Sequence, residues 1–317
     1  MNIVHLAYPI AESVLRSVPA AGQTMAIGDF DGVHLGHREV IGRAVAEARR
    51  LGLPSSVMTF HPHPREVLGS PLYSTYLSPP ERKLDRFREL GVDTVYIVAF
   101  DLTLAALPPA VFVEDVLKPL GAKSIAVGFN FTFGRRGIGT SAMLRELGNG
   151  AFDVHIVPPF LVGGERVSST LIREALSFGN VERAAALLGR PYEVDGVVAR
   201  GEGRGRTIGV PTANVAVPAH AVKPANGVYA VDVVLDDGTE KKGVMNVGLK
   251  PTFHSALPAP TWEAHLFDFE GDLYGRTLTV RFRSHIRDER KFESVGALVE
   301  QIRADIEEAK RRNPSPA

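Results

Sequence analysis

The chain has 317 residues, enough for two domains of ordinary size, each with its own core. Lysine plus arginine equals aspartate plus glutamate at 36 each, so the net charge is zero and no general attraction to nucleic acid or an anionic membrane is built in. Cysteine is absent, which excludes disulfides, thiolate metal sites and a cysteine nucleophile and fits a reducing compartment such as the cytoplasm. Met1 to Ala21 carries Glu12 and Arg16 within its apolar stretch and lacks the basic start of a signal peptide, and no apolar run approaches membrane-spanning length.

The first predicted strand is the short apolar run Thr24 to Ile27, and apolar residues at helical spacing resume from Glu39 to Arg49. Between them lies Gly28-Asp29-Phe30-Asp31-Gly32-Val33-His34-Leu35-Gly36-His37, a glycine-rich passage from strand to helix. A helix N-terminus offers unpaired N–H groups and a partial positive charge, so the stretch reads as a nucleotide-phosphate site. His34 and His37 have the spacing that, in a first helical turn, puts both imidazoles on one face, able to donate to phosphate oxygens that gain charge during transfer. Taken alone, the same pair also suits surface histidines beside an ordinary cap.

Ser55 to Phe60 is a second strand, stopped by His61-Pro62-His63-Pro64. An amphipathic helix from Pro79 to Leu90, a strand from Thr94 to Val98, a helical stretch from Pro109 to Leu117 and a strand from Ser124 to Gly128 follow. A helix from Ser141 to Leu147 and a strand from Asp153 to Val157 complete the alternation, the pattern of a parallel sheet covered on both faces. Ligands of such sheets sit beyond the carboxyl ends of the strands, where Gly28 to His37, His61 to Pro64 and Asn130 to Gly139 all fall.

Ser168 to Phe178 and Val181 to Leu188 read as two short helices, after which the pattern changes. Val194 to Ala199, Gly227 to Leu235, Lys242 to Val247, Glu263 to Phe269 and Thr277 to Phe282 are strands, with Asp236-Asp237-Gly238 and Glu270-Gly271-Asp272 as hairpin turns. That spacing predicts a small antiparallel barrel, with a domain division near Gly189. Ser294 to Arg311 closes the chain as an amphipathic helix with Val295, Leu298, Ile302 and Ile306 on one stripe.

Two further segments carry chemistry. Val167-Ser168-Ser169-Thr170-Leu171-Ile172-Arg173 opens a helix with hydroxyls and sets a guanidinium one turn on, which suits a triphosphate and equally an ordinary N-cap. Phe129, Phe131 and Phe133 alternate with polar residues in Gly128 to Gly137, where a flat ring stacks and Asn130 bonds a nucleotide, or where the three rings are core.

In order, Gly28 to His37, Phe60 to Pro64, Asn130 to Gly134 and Ser168 to Arg173 resemble the nucleotidyltransferase domain of prokaryotic bifunctional FAD synthetases. Gly205 to Asn214, Gly227 to Ala230, Asn246 to Gly248, Pro251 to Phe253, Glu263 to Phe269 and Arg287 to Phe292 resemble the riboflavin kinase domain of the same family. The resemblance implies a Rossmann-like α/β domain over 1–188 that adenylylates FMN to FAD and a kinase β-barrel with a C-terminal helix over 189–317 that phosphorylates riboflavin, both with ATP and Mg²⁺. It implies nucleotide contacts at Gly28, Phe30, Asp31, Gly32, Gly36, Asn130, Ser169, Thr170, Gly203, Arg206, Thr207, Pro211, Thr212 and Asn214. It implies flavin contacts at Phe60, Pro62, His63, Phe131, Phe133, Arg287 and Phe292, and catalytic roles for His34, His37, Arg173 and Glu263. Asp29 stands where the family more often has asparagine, and Val210 where it usually has phenylalanine.

A primary alcohol must lose its proton as it attacks phosphorus, so a carboxylate such as Glu263 is useful; taken alone, Glu263 is also an ordinary solvent-facing strand residue. Mg²⁺ takes few protein oxygens beside phosphates, so Thr212 and Asn214 suffice. Gly201 to Arg206 is able to wrap a triphosphate with backbone N–H groups and cations, and taken alone is a flexible loop. FMN's phosphate is ionised near neutral pH, since a phosphomonoester's second pKa is about 6, so adenylylation needs no base. The competing class is a nucleic-acid-binding barrel, opposed by the zero net charge and by Glu263 and Asp268; the partners expected are therefore small molecules, with no nucleic acid and no membrane. The sequence carries no signal for an oligomeric state.

Overall fold

Six short strands build one parallel sheet: β1 (Asn2–Leu6), β2 (Gln23–Ile27), β3 (Ser55–His61), β4 (Thr94–Ala99), β5 (Ala122–Gly128) and β6 (Asp153–Val157). Their order is β1-β4-β3-β2-β5-β6, each neighbouring pair parallel. The chain runs outward from β2 through β3 and β4 on one side and through β5 and β6 on the other, which opens a crevice beyond the carboxyl ends of β2 and β5. The architecture comes from a computed structural model that describes residues 1–70, 73–200, 209–250 and 259–313, the side chains of 249–250 and 259–260 excepted.

β2 is buried along its whole length, as a central strand covered on both faces must be. Its alternate residues feed two cores. Met25 and Ile27 meet Met58, Val98 and Ile125 on one face, and Ala26 meets Val57, Val95 and Ala126 on the other. The second face is covered by α1 (Leu35–Leu51), through Val40, Ile41, Ala44 and Val45, and by Phe87 of α2 (Pro80–Glu89). α1 ends at Gly52 with φ 66, the left-handed conformation that glycine adopts without a Cβ penalty. α3 (Ser141–Gly148) follows β5 and precedes β6. β1 was not predicted, because at the sheet's edge only Leu6 is buried and the strand shows no period. The helical stretch at Pro109 is α-helical only to Phe112 and widens into a π turn over Val113–Leu117.

The chain divides into two compact units, Met1–Ser169 and Thr170–Ala317. In the second, β7 (Tyr192–Ala199), β8 (Ala213–Ala216), β9 (Gly227–Leu235), β10 (Glu240–Lys250), β11 (Ala259–Leu266) and β12 (Thr277–Arg287) close an antiparallel barrel in the order β7-β8-β11-β10-β9-β12. Tyr229 and Phe282 meet edge to face in its interior, 5.2 Å between centroids. The division falls upstream of Gly189 because α4 (Ser169–Ser177) and α5 (Val181–Leu188) pack with the barrel. The Ala225 amide donates to the Leu176 carbonyl (2.9 Å) and the His285 amide to Glu182 Oε1 (3.2 Å). α6 (Val295–Arg312) covers Val228, Ala230 and Val244 on the barrel's outer face with Ile306 and Ala309; Val295, at the head of the predicted stripe, is exposed.

Candidate active sites

The loop between β2 and α1 takes a strained path. Phe30 (φ 58) and Val33 (φ 39) sit in the left-handed region, which costs a non-glycine residue about 1–3 kcal/mol. Three anchors hold it there. The buried Asp31 carboxylate accepts from the Leu77 and Ser78 amides (2.8 and 3.1 Å). The Asp29 carbonyl accepts from Thr59 Oγ1 (2.8 Å) and Lys83 Nζ (3.0 Å). The Phe30 ring is buried against Phe87 and meets His37 at 5.3 Å, and Gly28 makes room for it, since a Cβ there would stand 2.9 Å from the ring. Phe30 and Asp31 therefore spend their side chains on holding the loop. Gly32, at φ 82, completes the turn.

His34 and His37 come together as cap and first turn of α1. The His37 amide donates to His34 Nδ1 (3.2 Å), and the two rings stack 3.5 Å apart. With Nδ1 accepting, a neutral His34 carries its proton on Nε2. Burial, then the charges of His34 and Lys83, hold the His37 pKa well below the usual imidazole range, and its Nδ1 is buried without a hydrogen-bond partner among the described residues. A buried polar atom left unpaired is costly, and a ligand is one way to complete it. Gly36 lets the His34 ring lie close, 3.3 Å from where its Cβ would be.

The Ser169 hydroxyl, at the end of the first unit, donates to the Asp31 carbonyl of this loop (2.9 Å). Thr170 follows it, and Arg173, one helical turn beyond Ser169, is buried. Asn130 is exposed at the end of β5. Phe131 and Phe133 stack 5.6 Å apart, Phe133 in the core and Phe131 half-buried against it, so the core alternative holds for Phe133. Phe60 packs on Phe100, Pro62 is exposed, and His63 is turned inward: its Nδ1 accepts from the Arg65 amide (3.0 Å) while Nε2 faces Asp29 Oδ2 at 3.3 Å. Lys83 was not foreseen. It lies in an amphipathic helix, where a lysine reads as solvent-facing, yet it is buried and ties β3 to the loop through Thr59 and Asp29.

In the barrel, strand register assembles the second constellation. Glu263 of β11 pairs with Asn214 of β8 on one side and Asn246 of β10 on the other. Directly opposed residues point to the same face, with Cβ atoms about 4.5–5.5 Å apart, so the three half-buried side chains form one polar row. Glu289 reaches the same place: a Cβ on Gly248 would lie 2.5 Å from its Oε1 and 3.5 Å from Asn246 Nδ2. Asn246 and Glu289 lay within recognised motifs without an expected role, because their proximity is set by register between distant strands. Thr212 is exposed just before β8, Val210 is buried, and the Pro211 carbonyl accepts from His265 Nδ1 (2.8 Å). Gly203, Arg206 and Thr207 lie outside the described residues, as do Thr252 and Phe253. The Arg287 guanidinium is engaged by the buried Asp305 carboxylate, Nη2 at 2.8 Å from Oδ2, and also lies over Phe292 at 5.6 Å.

A family model described as FAD synthetase matches residues 18–171, and one described as riboflavin kinase matches residues 188–313. A bifunctional riboflavin kinase/FMN adenylyltransferase of Bacillus subtilis (strain 168) is 40% identical over 316 residues, 98% of each chain. This chain belongs to that bifunctional family. The Escherichia coli (strain K12) member is also 40% identical, over 92% of this chain and 93% of its own. A crystal structure from Streptococcus pneumoniae, described as a macrolide-efflux protein, superposes on 98% of this chain and 100% of its own with TM-score 0.87 and 34% identity. Efflux is said of that protein; among the described residues here no helix is long and apolar enough to cross a membrane. Each family match contains one of the two constellations, the stacked histidines in the first and the Asn214-Glu263-Asn246 row in the second.

Proposed function

We propose that the chain converts riboflavin and ATP to FMN through residues 189–317, and FMN and a second ATP to FAD and pyrophosphate through residues 1–188. The observation that carries the reading is the barrel row, a carboxylate flanked in register by two amides on a half-buried face. In the kinase step Glu263 takes the proton of the riboflavin 5′-hydroxyl as its oxygen attacks the terminal phosphorus of ATP, and ADP leaves. The Thr212 hydroxyl and the Asn214 amide oxygen, the latter paired with Glu263, are hard donors two residues apart, which fits Mg²⁺ shared with ATP phosphates, and these two residues would hold it. When bound, Mg²⁺ neutralises charge on the phosphates. Contacts to the triphosphate are assigned to Gly203, Arg206, Thr207 and Pro211, the first three of which lie outside the described residues. Phe292 is the candidate flavin contact, and Arg287 orients it from its pairing with Asp305.

In the adenylylation step an ionised FMN phosphate oxygen attacks the first phosphorus of ATP and pyrophosphate leaves. His34 donates from Nε2, neutral His37 donates without carrying charge of its own, and Ser169, Thr170 and Arg173 complete the stabilisation of charge on the transferred group. Phe60, Pro62 and Phe131 border the flavin, and Asn130 the nucleotide. The substrates are small molecules, nucleic acid plays no part, and the enzyme works in the cytoplasm, where ATP is supplied. Incubation of the purified chain with riboflavin, ATP and Mg²⁺, followed by separation of the flavins, tests the reading: FMN appears first and FAD after it, and a folded chain that makes neither overturns it.

A further inference from the structure

A cleft of about 540 Å³ in the first unit shares no residue with either site. It is lined by Arg38, Glu39, Gly42 and Arg43 of α1, by Arg145 of α3 and by residues 154–158 at the edge strand β6. Three guanidiniums line it against the single Glu39 carboxylate. Arg145 spends one N–H on the Val154 carbonyl (3.1 Å), and Arg43 is tied to Glu47 (3.1 Å) and to His155 Nδ1 (3.0 Å). Arg38 has no side-chain partner among the described residues. With Nδ1 accepting from Arg43, a neutral His155 keeps its proton on Nε2, a buried atom with no hydrogen-bond partner among the described residues; Glu47 Oε2 is 3.8 Å away.

Gly42 supplies an independent observation. It lies within the 17-residue helix α1, where alanine is the more stable choice, yet a Cβ at this position would meet nothing within 4 Å and its φ is not left-handed. Neither packing nor backbone conformation asks for glycine there. What the missing side chain leaves is open space on the cleft wall.

Guanidiniums recognise phosphate through paired N–H donors, and those lining the cleft come from two separate helices, an arrangement that suits a ligand carrying more than one phosphate. Its volume falls in the ~300–1,000 Å³ range of ligand pockets, and Val154, Ile156, Val157 and Pro158 add apolar surface to its lining. We propose that this cleft is a separate binding site for a molecule bearing a pyrophosphate joined to a nucleoside. ATP and FAD share that chemistry. The site stands independently of the assignment of Glu263 or His37.

The test is calorimetric titration of the full chain with ATP, with FAD and with inorganic pyrophosphate, comparing the parent with Arg145→Ala and Gly42→Leu. The parent should bind one more equivalent of at least one probe than either variant, with affinity for that equivalent reduced at least tenfold in both. A response to ATP alone or to FAD alone identifies the source, and a response to pyrophosphate shows that the phosphates suffice. Gly42→Leu should melt no lower than the parent because its side chain enters open space; if it does not fold, Arg38→Ala takes its place. Retention of the same stoichiometry and affinity in either variant overturns the proposal.

Discussion

On the proposed assignment, the two units handle phosphate with different materials. In the first, the groups are at a helix start: a capping imidazole, a half-buried neutral imidazole, a hydroxyl fixed to the loop, and a loop pinned by a carboxylate that accepts from two backbone amides. In the second, a half-buried carboxylate stands in a strand row with amides on either side. The difference follows the nucleophile. A phosphate oxygen arrives ionised and needs only charge stabilisation, whereas an alcohol needs a base, the work we assign to the carboxylate of the barrel row.

The largest test of the contrast is whether the units stand apart. Chemistry is assigned from Gly189 onward, but α4 from Thr170 and all of α5 belong to the same unit as the barrel, with Ile172, Leu176, Val181, Ala184, Leu187 and Leu188 buried. Each such aliphatic side chain of Val, Leu or Ile size contributes about 1.5–3 kcal/mol when fully buried. A fragment from Ser168 to Ala317 should melt cooperatively and make FMN but no FAD, while one from Gly189 to Ala317 should melt far lower or not cooperatively. Equal melting of the two fragments would show that the helices are dispensable.

Within the intact chain, Glu263→Gln should lower FMN formation by ~10²–10⁴-fold, the usual worth of a general base, and leave FAD formation from supplied FMN unchanged. Kinase activity within a few-fold of the parent would leave Glu263 an ordinary strand residue. His37→Ala should do the reverse, with a loss of ~10²–10³-fold in FAD formation and accumulation of FMN from riboflavin. If FAD is still made at the parental rate, the stacked pair is a cap and nothing more.

These tests also separate what could be read from the chain from what could not. The parallel sheet and the barrel were legible because β2 to β6 and most barrel strands carry their own apolar period and end in turn residues. β1 was missed because an edge strand buries one residue in five, and β8 because four residues are too few to show a period. His34 and His37 were legible because their meeting is local. Asn246, Glu289 and Lys83 were not, because register and long-range packing bring them to their sites, and these cannot be seen in spacing along the chain. The engagement of Arg287 by Asp305 was hidden for the same reason.

The smallest expected effect concerns the neutral imidazole itself. Burial and the nearby His34 and Lys83 hold His37 uncharged well below its ordinary pKa of 6.5 in the folded state, while the unfolded chain takes up a proton there near that value. The unfolded state then binds more protons than the folded one at mildly acidic pH. Stability from this group is therefore fully present above about pH 6.5 and falls as the pH drops toward the folded pKa, by at most about 1.4 kcal/mol per pH unit. Replacing His37 with glutamine removes the titration. Contributions from groups that the substitution leaves unchanged cancel in the difference. Urea unfolding of the parent and His37→Gln at roughly pH 7.5 and pH 5.5 should show the parent losing more stability between the two values, whatever the variant's offset. The Glu263→Gln chain, altered in the other unit, should follow the parent. If parent and His37→Gln lose stability equally, the folded imidazole is already protonated at mild acidity, and the first unit meets phosphate with a cation where we place a neutral donor.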